Sequence, residues 1–445
     1  MPAWLTESMS TRGSLPAIEG ADGPCSYADL VGQVQAWRDG ALAGVEPGAV
    51  VAFDGDYGPG AISLLLALAL NRNVAVPLSR DVAAHHAAFT ELAEAEYHIS
   101  AGARSPVVTR TGTRATHELY RRLRERGTPG LVLFSSGSTG AHKAAVHDLA
   151  ALLRKFQAPR HGYRTIGFLQ LDHIGGLNTL CYTLANGGTL VVSSARTPAA
   201  VCEAIERHRV ELLPTSPTFL NLLLLSEEHL RRDLSSLQLI TYGTEPMPES
   251  TLRRIAQTFP AVRLLQTYGL SELGILRSQS RSSDSLWVRV GGDGFETKVE
   301  DGRLWIRAES AMLGYLNAPS PFSADGFFDT GDLVEVDGEW IRFVGRHNEV
   351  INVGGSKVFP AEVESVLLDL DNVADVSVRG EPSPITGHIV TATVKLIAPE
   401  APDAFKLRMR QFCASRLTAY KIPVRIRFEE GPLHTARFKR RRLAS

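Results

Sequence analysis

Apolar positions between Ser26 and Leu78 alternate between two spacings. YADLVGQVQAWRDGAL repeats at helical period, a loop through Pro47 and Gly48 interrupts it, and AVVAF is an apolar run of strand length. AISLLLALALNR returns to helix and VAVPL to strand. Helices alternating with short β-branched runs predict parallel sheet with crossover helices. A basic helical stretch, ATHELYRRLRERG, then precedes the strand and loop GLVLFSSGSTG. The alternation continues through TIGFLQL, GTLVVSS, a helix from Pro198 to Arg209, VELLPTS, a helix around FLNLLLLS, LQLITYG and VRLLQTYG. The expected class is α/β.

After Val290 the pattern changes. GRLWIRA and LVEVDGEWIRFVG alternate with period two around Asp-Gly turns at Asp301 and Asp337, which predicts hairpins in a small β-rich module. Beyond Arg346 come a helix (PAEVESVLLDL), two strands (VADVSVRG and HIVTATVKLI), a charged helix (AFKLRMRQFCASRL) and a strand (VRIRFEE). The expected organisation is a large domain over 1–346 and a small, mobile α+β domain over 347–445.

Composition narrows the class. The 445 residues carry 47 basic and 48 acidic side chains, a net charge of -1, so no global excess of cations favours a nucleic-acid partner. Cys25, Cys181, Cys202 and Cys413 form no CxxC pair and are too few for a disulfide scaffold. The longest apolar run, AISLLLALAL, falls short of the ~20 residues that span a bilayer. The amino-terminal stretch has neither a basic nor an apolar leader region. A soluble, cytoplasmic, unprocessed protein is expected.

The chemistry concentrates in SSGSTGAHK, residues 135–143, directly after the strand LVLF. Its glycines let backbone N–H groups approach an anion while the hydroxyls donate further hydrogen bonds. The composition alone fits a phosphate cradle and a Ser/Gly-rich surface loop equally. A Walker P-loop is excluded, because His142 stands where the motif needs glycine directly before Lys143 and Ala144 stands where it needs Ser or Thr.

Six further segments follow in order: LDHIGGL, YGTEP, QTYGLSELG, FFDTGDL, GRHNEVINVGGSKVFPAEVE and HTARFKRRRL. The ordered set resembles the acyl-adenylate-forming superfamily of acyl-CoA and aryl-CoA ligases, peptide-synthetase adenylation domains and firefly-type luciferases. The resemblance runs from Ser26 to nearly the end of the chain. It implies that Ser135, Ser136, Gly137, Ser138, Thr139, Gly140 and Lys143 hold the β- and γ-phosphates of ATP, with Thr139 and Glu272 at a Mg²⁺ ion. It further implies an adenine turn at Gly243, Thr244 and Glu245, and a nucleotide strand with Tyr268, Gly269 and Ser271. Asp332 and Arg346 would take the ribose and phosphate.

His173, Ile174, Gly175 and Tyr242 would form the acid pocket, with His173 gating it. An apolar Ile174 stands where amino-acid-activating relatives carry an acid, which argues against an α-amino acid substrate. Asn348 would be the hinge, and Gly354 and Gly355 the tunnel for a thiol. Those two glycines also fit a simple tight turn. Lys439 would be the catalytic lysine, and Phe438 precedes it where the family usually has glycine. Its basic neighbours also fit a disordered tail.

The resemblance therefore implies activation of a small carboxylic acid to an acyl-AMP, followed by transfer to CoA or to the phosphopantetheine of an acyl carrier protein. Delivery to an amine and a non-catalytic nucleotide-binding role are the alternatives.

Overall fold

The computed structural model describes residues 3–20, 23–100, 107–136, 142–435 and 438. Among these, two seven-stranded sheets build the large part of the chain. The first runs Arg263–Gln266, Leu239–Tyr242, Leu212–Thr215, Arg164–Ile166, Thr189–Val191, Pro16–Glu19 and Cys25–Ser26, with all but the last strand parallel. The second has Gly130–Ser136, Val74–Leu78, Val50–Asp54 and Tyr97–Ser100 in parallel at its centre, with antiparallel strands at both edges. This is the predicted α/β pattern. One apolar cluster draws on both sheets and on the helices Pro59–Leu70 and Ile174–Ala185 between them. That setting explains why AISLLLALAL is apolar all round: its helix is buried on nearly every face.

Polar ties cross the same interior. Ser79 Oγ donates to Asp172 Oδ2 at 2.7 Å, and Tyr57 Oη donates to the Gly176 carbonyl at 2.7 Å. Both fix the start of the helix Ile174–Ala185 against the second sheet.

The β-rich module is a six-stranded sheet whose pairings are antiparallel. Its hairpin Phe295–Glu300 to Arg303–Ala308 turns on Asp301 and Gly302 at φ 50° and 75°, the left-handed pair that Asp-Gly favours. The module starts earlier than the hydrophobic pattern predicts, at Arg277–Ser280, because that strand is polar and partly exposed.

The carboxy-terminal sheet begins at Ile351. In the hairpin Val373–Ser383 to Gly387–Leu396, the second strand also pairs with Ile351–Val353 near its start and, in parallel, with Arg425–Phe428 further along. Helices Pro360–Leu368 and Pro402–Ala414 close a separate core around Val376, Val378, Val390, Phe405 and Met409. Contacts with the large part include polar ones. Asn221 Nδ2 donates to the Ala374 carbonyl at 3.0 Å, and Arg253 reaches both oxygens of Asp369 at 3.1 and 2.9 Å.

All four cysteines are free and buried. Among the described residues, no helix is long and apolar enough to cross a membrane.

Candidate active site

The loop of hydroxyls and glycines joins two paired strands, Gly130–Ser136 and His142–Asp148, with Ser135 opposite Lys143. Gly137, Ser138, Thr139 and Gly140 lie outside the described residues, as does Lys439. Alternation along the second strand puts Lys143, Ala145 and His147 on one face. Tyr315 pairs across from Ala145, and Lys143 Nζ stands 5.1 Å from the centre of its ring. The Tyr315 hydroxyl donates to Glu272 Oε1. Burial, and then the Glu272 charge, push this phenol well above its ordinary range, so it remains a donor. Lysine, tyrosine and carboxylate thus form one chain beside the loop.

A second chain starts at Tyr268. Its hydroxyl donates to Asp332 Oδ2 at 2.6 Å, and Arg346 Nε donates to Asp332 Oδ1 at 3.0 Å. The register explains the pairing, since Asp332 and Arg346 face each other across a hairpin. Burial, then the Asp332 charge, raise the Tyr268 phenol. Burial lowers the Arg346 guanidinium, but Asp332, Tyr268 and Glu272 more than reverse this, so it stays charged. The influence of Glu272 on Arg346 brings the two chains into one electrostatic neighbourhood. Tyr268 also stacks on Phe343, with ring centres 4.6 Å apart and planes at 17°. Both Asp332 oxygens are engaged, yet each retains lone-pair capacity for a further donor.

The turn after Leu239–Tyr242 lies at the carboxyl edge of the first sheet. Thr244 adopts φ 74°, a strained value for a β-branched residue. Gly243 is required by space, because a Cβ there would meet the Thr267 carbonyl oxygen at 2.6 Å. Glu245 Oε1 accepts from the Thr218 N–H at 2.8 Å and from the Thr218 hydroxyl, so this carboxylate secures the helix Pro217–Ser226. Tyr242 is buried, which raises its phenol. Gly269 cannot carry a side chain either, since its Cβ would meet the Gly274 carbonyl oxygen at 2.6 Å. His147 is wholly buried next to the Ser271 backbone, and burial lowers it to about 4.

His173 caps the helix Ile174–Ala185, accepting the Gly175 N–H on Nδ1 at 3.1 Å. Ile174 and Gly175 are buried behind it. Lys155 donates to Asn178 Oδ1 at 2.6 Å and to the Ile275 carbonyl at 2.7 Å, joining this helix to the strand after Glu272. Burial lowers the Lys155 ammonium to about 8. Asn348 sits in the exposed turn His347–Glu349 that follows the β-rich module. Gly354 and Gly355 close a two-residue hairpin at φ 56° and 85°, and an added Cβ at either meets nothing within 4 Å. The turn itself accounts for glycine there.

Sequence reasoning missed Tyr315, Phe343 and Lys155. Each acts through pairing across strands or helices distant in sequence, and none lies in one of the quoted segments except Phe343, which strand alternation alone makes unremarkable.

The family model described as AMP-binding enzyme matches residues 5–316, and the AMP-binding enzyme C-terminal domain matches 362–439. An indoleacetate–CoA ligase of Aromatoleum aromaticum is 30% identical over 339 residues, 69% of this chain and 65% of that protein. The chain therefore spans less than two thirds of that relative's length. Among solved structures, an amide bond synthetase of Marinactinospora thermotolerans is 25% identical with a TM-score of 0.77 over 97% of this chain and 96% of that one. An anthranilate CoA ligase in complex with anthranoyl-AMP shares the fold at 20% identity, with a TM-score of 0.81 over 98% and 95% of the two chains.

Proposed function

This chain belongs to the AMP-binding enzyme family, and from that premise we propose that it activates a carboxylic acid with ATP and passes the acyl group to a thiol. The acid's oxygen attacks the α-phosphorus, the bond to pyrophosphate breaks, and an acyl-AMP forms. The acceptor sulfur then attacks the acyl carbon, loses its proton, and AMP leaves. The observation that carries this reading is the Tyr268–Asp332–Arg346 chain, with the Lys143–Tyr315–Glu272 chain standing beside the phosphate loop.

Roles follow from the chemistry of each group. Lys143 and the adjoining loop residues 135–140 bind phosphate oxygens. Glu272 offers hard oxygens that suit Mg²⁺, with Thr139 as its companion, and the ion when bound neutralises phosphate charge. Tyr315 holds the Glu272 carboxylate in place by its hydrogen bond. Tyr268 and the turn 243–245 flank the base, while Asp332 and Arg346 take the ribose and phosphate. His173, Ile174, Gly175 and Tyr242 bound the acid, a compact aromatic or short to medium acyl molecule. Lys439 supplies a cation to the α-phosphate from the small domain, 347–445, which turns about Asn348 relative to 1–346. Gly354 and Gly355 border the path of the CoA or carrier-protein pantetheine.

The likeness to an amide bond synthetase over nearly the whole chain supports a second reading, transfer to an amine. Hydroxylamine trapping across a panel of carboxylic acids, read by mass, tests the common first step without needing the acceptor. Absence of both hydroxamate and pyrophosphate for every acid would refute both readings. Incubation of the trapped acid with CoA, a carrier protein or amines then separates thioester from amide.

A further inference from the structure

Phe438 occupies a position that no role above uses. It is the residue before Lys439, and its ring is docked on the large part of the chain. The ring centre lies 5.4 Å from that of Phe168 and 5.5 Å edge-on from that of Phe219, while His434 stacks on it at 5.3 Å. The Arg196 guanidinium stands 5.8 Å from the ring centre. Phe168 and Phe219 both follow strands of the first parallel sheet, Arg164–Ile166 and Leu212–Thr215, on the carboxyl side where such sheets bind ligands.

The backbone is held as firmly as the ring. Ser216 Oγ accepts the Phe219 N–H at 3.2 Å, capping the helix Pro217–Ser226, and donates its one proton to the Phe438 carbonyl at 3.0 Å. Glu245, from the strained turn, binds Thr218 in that same first helical turn. Phe438 is thus tied to the helix end that the nucleotide turn itself secures. Its φ is 52°, a left-handed value that glycine adopts freely and phenylalanine only where contacts impose it. A bulky side chain in that conformation points to a role for the ring.

We propose that Phe438 is an aromatic latch: a positioning residue that docks the segment preceding Lys439 beside the nucleotide turn and favours acyl-AMP formation over acyl transfer. The proposal rests on the adenylating role given to Lys439 above. Release of the ring from Phe168 and Phe219 must precede any turn of the small domain.

Phe438→Gly isolates the ring, because glycine keeps the left-handed backbone without strain. Acid-dependent exchange of pyrophosphate into ATP should fall by about tenfold to a hundredfold. Transfer from supplied acyl-AMP should be unchanged or faster, and limited proteolysis near the carboxy terminus should speed up. Phe438→Tyr should restore exchange and protease resistance. Equal loss in both half-reactions, or unaltered proteolysis of Phe438→Gly, would overturn the latch. Proteolysis reports on it even if the wild-type chain exchanges pyrophosphate with no acid, a result that would instead refute the adenylation reading.

Discussion

The candidate active site and the carboxy-terminal unit are built on opposite plans. In the site, Tyr268, Asp332 and Arg346 are bound to one another within a half-buried network, and Tyr315 holds Glu272 from a strand paired to the phosphate-loop hairpin. The carboxy-terminal unit has its own apolar core and meets the large part through exposed polar contacts at Arg253, Asp369 and Ser365 and through the Phe438 ring. One region is preorganised, and the other is attached by exposed polar bonds that water can replace at little cost and by the docked Phe438 ring. The difference suits a reaction that needs one fixed set of groups throughout and another for only part of the cycle.

The contrast can be broken most severely at its two catalytic ends. Lys439→Ala should lower acyl-AMP formation by about a thousandfold while transfer from supplied acyl-AMP persists, measured as separate half-reactions. Equal loss in both would make the lysine structural. Next, Glu272→Gln keeps the shape but removes the charge facing Tyr315, and should cost about a hundredfold in pyrophosphate exchange and raise the Mg²⁺ requirement. Asp332→Ala leaves the Tyr268 hydroxyl and the Arg346 guanidinium without their shared acceptor. A loss of about 1–3 kcal/mol of stability, read by denaturant unfolding, should accompany a raised KM for ATP.

A smaller effect tests the interior of the rigid region. His147 is held neutral by burial, so the unfolded chain binds the extra proton once pH falls below the ordinary histidine value of 6.5, and stability drops from there toward about 4. Each pH unit in that window should cost about 1.4 kcal/mol, and His147→Leu should flatten the melting temperature between pH 6.5 and 5. Least of all, Arg253→Ala removes an exposed ion pair at the junction and should change global stability by less than about 1 kcal/mol.

Much of this was legible in the chain. The alternation of helix and strand identified the α/β layers, and the Asp-Gly pair at Asp301 marked a hairpin with the expected left-handed turn. The helix Ala3–Ser10 and the strands Pro16–Glu19, Tyr97–Ser100 and Val107–Arg110 escaped it, being short segments whose burial is set by distant neighbours. Glu245 carries a further lesson. Its position in the adenine turn suggested a nucleotide role, and the fold adds a bond from its carboxylate to the Thr218 helix end that the sequence did not show.

Sequence alone determined the residue types at the phosphate loop, the turns and the alternation of helix and strand, because periodicity and backbone preference act over a few residues. Tertiary structure decided which groups meet: Tyr315 with Glu272, Phe343 with Tyr268, and Phe438 with Phe168 and Phe219. These partners are separated by tens to hundreds of positions, and only the packing of sheets and the register of strands bring them within bonding range.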